Sequence, residues 1–100
     1  MAIKHIVMWT FAGDDAVARD EAAREIATRL EALVDRIPGI QSIDVKRNAA
    51  FDDVNYDLAL VSVHDDVAAL KAYQVHPEHA AIASYIRTVV AQRASIDLDV

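Results

Sequence analysis

One hundred residues, 54% of them hydrophobic, suffice for one core, whereas two separate domains would each sit near the size at which folding is marginal, so residues 1–100 read as a single domain. The chain contains no cysteine, which excludes disulfides, thiolate chemistry and cysteine-based zinc sites. Sixteen acidic residues against ten basic ones give a net charge of −6, which argues against nucleic acid and anionic lipid as partners.

The first apolar run, Ile6 to Phe11, is broken by Thr10 and is too short for a signal-peptide core. No other stretch approaches a membrane span, so a cytoplasmic location is expected. Residues 2–11 alternate, with Ile3, His5, Val7, Trp9 and Phe11 on one side and Lys4, Ile6, Met8 and Thr10 on the other. Gly13-Asp14-Asp15 then supplies a turn and a helix N-cap. Ile26, Leu30, Leu33 and Ile37 recur at helical spacing, and the helix is expected to run to Ile37 and stop at Pro38-Gly39. Its outer face carries ion-pair spacings such as Glu21 with Arg24 and Glu25 with Arg29.

Residues 40–47 alternate around Ile43 and Val45 and read as a half-exposed strand, and residues 48–54 as a loop. Tyr56 to His64 is a nearly continuous apolar run, the pattern of a strand covered on both faces. His64 at its end, beside Asp65-Asp66, reads as a surface or capping residue. A second helix opens there through Val67, Leu70 and Tyr73. Pro77 interrupts it, holds His76 extended, and starts a third helix whose buried stripe is Ile82, Ile86 and Val89 or Val90. Residues 93–100 alternate strictly, with Ala94, Ile96, Leu98 and Val100 opposed to Arg93, Ser95, Asp97 and Asp99, and form the last strand.

Strand, helix, strand, strand, broken helix, strand is the split βαβ order of an α+β, ferredoxin-like sheet-and-helix unit, with both helical elements on one sheet face. The first and third strands are nonetheless apolar on both sides, so a second copy is expected to cover the open face and close a dimeric α/β barrel.

Lys4-His5-Ile6-Val7, Tyr73-Gln74-Val75-His76-Pro77-Glu78-His79 and Ser95-Ile96-Asp97 together resemble the stress-responsive dimeric α/β-barrel (Dabb) family over essentially the whole chain. The resemblance implies a ferredoxin-like protomer and a homodimer joined through sheet faces. It leaves the activity open, because that family includes plant proteins linked to stress, a polyketide cyclase and many bacterial members without an assigned activity. In the cyclase-type members the positions matching Tyr73 and His79 would be the catalytic pair, with His5 and Asp97 near the cavity.

The residue pattern itself places His79 on the inner stripe of its helix with Ile82 and Ile86, His5 on a strand face with Val7 and Trp9, and Tyr73 three residues after Leu70. Converging between sheet and helices, these groups would line a pocket for a small apolar ligand, with Trp9 as core or cavity wall. An imidazole titrating near neutrality can take a proton from an activated carbon, and a tyrosine hydroxyl can donate to the enolate oxygen that results. That chemistry suits a cofactor-independent cyclase or lyase acting on a polyketide-like carbonyl compound. The alternative is a non-catalytic, stress-associated dimer in which the two histidines bond buried polar groups and Tyr73 packs. Asp57 and Asp97 each require a partner, and for Asp97 the candidate is a histidine. His76 and His79 lack a third metal ligand nearby in sequence and the chain has only two glycines, so neither a metal nor a phosphate-bearing cofactor is expected.

Overall fold

The computed structural model describes residues 1–100. Its elements are β1 (Ile3–Phe11), α1 (Ala16–Glu31), a 3₁₀ turn (Ala32–Asp35), β2 (Ile40–Arg47), β3 (Leu58–His64), α2 (Val67–Val75), α3 (Pro77–Val89) and β4 (Val90–Asp99). The strands pair antiparallel in the order β2-β3-β1-β4, so the chain's first strand lies inside the sheet between β3 and β4. This is a ferredoxin-like α+β fold, with α1, α2 and α3 on one sheet face.

Local chemistry sets the helix limits. Asp15 accepts from the Val17 N–H and Asp66 from the Ala69 N–H, each satisfying a donor that the first turn leaves free. At the α2–α3 break His76 is extended, as the following proline requires, and its Nδ1 accepts from the Glu78 N–H at 3.2 Å. The first helix gives way to the 3₁₀ turn at Ala32 instead of continuing to Ile37. The tighter winding still brings both Leu33 and Ile37 into the core before the chain turns at Pro38-Gly39. Gly39 has φ +92°, and a Cβ there would stand 2.8 Å from the Ala69 Cβ, so both backbone conformation and helix contact demand glycine. On the outer face of α1, Arg24 pairs with Asp20, not Glu21, while Arg29 approaches Glu25 at 3.9 Å.

The apolar stripes meet as their spacing predicts. Ile26, Leu30 and Leu33 are almost wholly buried against Val7, Leu58, Leu60, Val45 and the α3 residues Ile82 and Ile86. Each such aliphatic side chain contributes roughly 1.5–3 kcal/mol on leaving water. Asp57, just ahead of β3, donates its N–H to the Trp9 carbonyl and accepts the Phe11 N–H on its carboxylate at 2.8 Å. These two bonds continue the β1–β3 ladder and give this carboxylate its partner. The last strand starts at Val90, three residues earlier than its alternation indicates, because α3 runs directly into it, and β4 takes up the mismatch with an extra residue, Ala91, between the pairs Thr10–Gln92 and Phe11–Val90.

The opposite sheet face has no cover within the chain. Across it the register aligns Val61, Ile6 and Ile96 in one row, flanked by Val63, Lys4 and Leu98 on one side and Ala59, Met8 and Ala94 on the other. Met8, Ile96 and Leu98 are exposed. The β2 positions of the same rows are Ser42, Asp44 and Lys46, so the apolar patch ends where β2 begins.

Candidate functional site

Register brings the polar residues of the covered face together. His5 on β1 pairs with Ser62 on β3 and with Asp97 on β4, so the three share a row under the helices. The His5 Nδ1–H donates to the Asp97 carboxylate at 2.5 Å, a contact that fixes the orientation of the ring. His5 is buried while the Asp97 side chain is about half exposed.

Two residues beyond Ser62, on the same face, lies His64, fully buried with Nε2 2.9 Å from the Ser62 hydroxyl. Its ring meets that of His5 edge-on at 6.2 Å and that of Tyr73 at 4.9 Å, and Tyr73 in turn lies 4.4 Å from the ring of His79. Four rings from two strands and two helices therefore form a continuous chain. The Tyr73 hydroxyl and the His64 Nδ1 are buried without a hydrogen-bond partner in the fold. Each such orphan costs about 1–3 kcal/mol, the kind of local expense that concentrates at functional sites.

Beside this chain of rings opens a cavity of about 440 Å³ between the sheet and α3. Val7, Trp9, Leu30, Leu60 and Ile86 form its apolar walls, His5 and His79 contribute imidazoles, and Gln74, Arg87, Gln92 and Arg93 stand at its rim. His79 donates Nδ1–H to the Gln74 carbonyl at 3.2 Å, which leaves its Nε2 lone pair unengaged.

Burial pulls the His79 pKa below the usual histidine range; the Gln74 carbonyl opposes this, and His5, Arg93 and Arg87 add to it. His64 is lowered too, first by burial and then by the neighbouring His5. Burial pushes the Tyr73 hydroxyl up to about 12, so it stays protonated. Both histidines are thus neutral at physiological pH. In the unfolded chain they protonate near pH 6.5, before the folded protein does, so acidification through that value favours the unfolded state. We expect the urea midpoint to fall as the pH drops from 7.5 towards 5 and His64→Asn to flatten part of that slope. A midpoint constant over this range would show that neither imidazole is held neutral by the fold.

Of the five residues marked out by sequence, His5, Trp9 and His79 line the pocket, whereas Asp97, expected on its wall, stands behind His5 and takes its Nδ1–H. Tyr73 does not line it. It is completely buried behind His79, because the α2 stripe that carries Leu70 turns Tyr73 directly onto the sheet. His64 is not a surface residue but the centre of the ring chain. The alternation Leu58, Leu60, Ser62, His64 carried that signal. By sequence Arg87 has no role and Arg93 is only a polar position on the last strand. His76 is spent as a cap, and no group of three His, Asp or Glu side chains is placed to hold a metal ion.

A family model, described as a stress responsive A/B barrel domain, matches residues 3–100. No curated protein matches the chain by sequence. Among solved structures, a dimeric protein of unknown function and ferredoxin-like fold from Bacteroides fragilis is 27% identical, with TM-score 0.91 and coverage of 99% of this chain and 96% of that one. A dimeric ferredoxin-like protein of unknown function from Thermobifida fusca is 26% identical, with TM-score 0.84 and coverage of 100% and 92%. Two enzymes share the fold at lower identity. One is SnoaB, a cofactor-independent oxygenase from Streptomyces nogalater, at 16% identity, TM-score 0.77 and coverage of 99% and 92%. The other is hydroxynitrile lyase from Passiflora edulis, at 12% identity, TM-score 0.81 and coverage of 97% and 91%. No helix of the structure is long and apolar enough to cross a membrane.

Proposed function

The chain belongs to the stress responsive A/B barrel domain family, and we propose that it is a homodimer that binds a small, largely apolar carbonyl compound between sheet and helices and transfers protons on it without a cofactor. The observation that carries this reading is the apolar cavity of about 440 Å³ with the free Nε2 of a neutral, helix-anchored His79 on its wall. A base held neutral in a largely apolar site is poised to take a proton from carbon next to a carbonyl. The C–H bond breaks, the proton moves to His79 Nε2, and the enolate carbon attacks a second carbonyl of the same molecule. The alkoxide so formed recovers the proton from His79, which closes a ring by a cyclase-type step.

In this reading His5, oriented by Asp97, accepts a hydrogen bond from an enol or hydroxyl of the ligand. Trp9 is a flat wall. Tyr73 is a positioning residue, packed against the His79 ring, and does not donate to the enolate. Homodimer formation through the open sheet face is supported by its Val61–Ile6–Ile96 row and by the dimeric state of the two solved proteins most similar among those described. A cytoplasmic location is part of the same proposal.

The test is titration of the protein with aryl β-diketones and phenolic ketones, following emission of Trp9, the chain's single tryptophan. Saturable quenching that weakens when Ala83, on the cavity wall, is enlarged by Ala83→Phe is the expected result. Quenching indifferent to that substitution, or none across the series, would remove the cavity as a binding site.

A further inference from the structure

The seven arginines are not used alike. Arg24, Arg29, Arg36 and Arg47 each lie within ion-pair distance of a carboxylate, and Arg19 donates to the Gly13 carbonyl. Arg87 and Arg93 have no carboxylate partner, and their only bonds are to the hydroxyls of Ser84 and Ser95. Both stand at the rim of the cavity. Arg87 comes from the last turn of α3, and Arg93 projects from β4 on the helix-covered side, in register with Trp9.

In a chain of net charge −6 the absence of acidic side chains from the cavity wall stands out, because the only fully charged groups lining it are these two guanidinium ions. The mouth is therefore electropositive against the charge of the whole chain, and an anion entering it meets attraction there, the Asp97 carboxylate behind the wall being engaged by His5. Two forked donors flanked by apolar walls fit a planar carboxylate, which each can bind through paired N–H groups. Gln74 and Gln92 add neutral hydrogen-bonding groups at the same rim.

We infer that the ligand is an amphipathic keto acid whose carboxylate lodges between Arg87 and Arg93 while its carbonyl end lies inside, against His79 and His5. This rests on the cavity reading given above and adds the class of ligand. The two guanidinium ions give the ligand one orientation, acid outward and reacting carbon inward, so that only carbon atoms within the apolar part come under the His79 base. The cavity, at the small end of ligand pockets, takes a single ring with a short chain.

Isothermal titration calorimetry with benzoylpropionate and its uncharged counterpart benzoylpropionamide, at neutral pH and low salt, separates the two ideas. The protein should bind the acid ~10-fold or more tightly than the amide, the gain typical of a charge-assisted hydrogen bond. Arg87→Gln and Arg93→Gln should each cut affinity for the acid ~5- to 10-fold and leave the amide unchanged, and the double variant should make the two ligands equal. Equal affinities in the unmodified protein would overturn the keto-acid inference while keeping a cavity that binds carbonyl compounds. Absence of binding by both ligands would overturn this inference and the cavity reading together.

Discussion

Replacing His79 by alanine should slow exchange of the α-hydrogens of a bound aryl ketone for deuterium by ~10²- to 10⁴-fold, the usual contribution of a positioned general base. The expectation follows from three features of one side chain. Its Nδ1–H is committed to the Gln74 carbonyl, its other nitrogen is unengaged, and burial keeps the ring neutral. Exchange followed by proton NMR reports the proton-transfer step itself, so it needs no knowledge of the natural product. His79→Gln, which keeps bulk and polarity but no basic nitrogen, should fail equally while ligand affinity changes little, a loss in rate and not in binding. Tyr73→Phe keeps the ring that packs on His79 and should retain most of the rate; a loss as deep as that of His79→Ala would instead make the Tyr73 hydroxyl the enolate donor. Undiminished exchange in His79→Ala would remove the proposed base.

A second large effect is expected on the other side of the sheet. Ile6→Asp should convert the protein from dimer to monomer as measured by sedimentation velocity at micromolar concentration. Ile6 is the centre of the uncovered face, with Val61 and Ile96 as its cross-strand neighbours. Two-fold symmetry would set two copies of the substitution near one another, so two carboxylates would lose water in an interface of about 1,600 Å². An unpaired buried charge of that kind costs several kcal/mol. Asp44→Ala, in the same row but on β2 beyond the apolar patch, should leave the dimer intact. Retention of the dimer by Ile6→Asp would place the contact elsewhere on the surface.

The fold was legible because its signals are local. Alternation in β1 and the Ile26–Leu30–Leu33 spacing of the first helix state which side of each element is dry, and Asp15, Pro38-Gly39 and His76-Pro77 state where elements end. The site was legible in part. His5 and His79 lie on dry faces that periodicity identifies, and Asp97 falls on the polar side of the last strand. His64 was missed because its neighbours Asp65-Asp66 mark an exposed helix start, whereas its own burial depends on Tyr73, brought over from α2 to close the end of the sheet. The cationic rim was hidden for a similar reason. Arg87 and Arg93 belong to separate elements, and which arginines lack a carboxylate partner is a property of the assembled surface, not of spacing along the chain.

The His5–Asp97 bond joins residues 92 positions apart, across the pairing of the first strand with the last. β1 is made before the other three strands, yet it sits inside the finished sheet, between β3 and β4. Both of its edges are unpaired until β3 has been made, one stays open until β4 follows, and His5 receives its carboxylate only with β4. Contacts of such range slow folding. They also make the pocket a late event: a chain stalled before residue 97 can hold every ring of the cluster and still lack the group that orients His5.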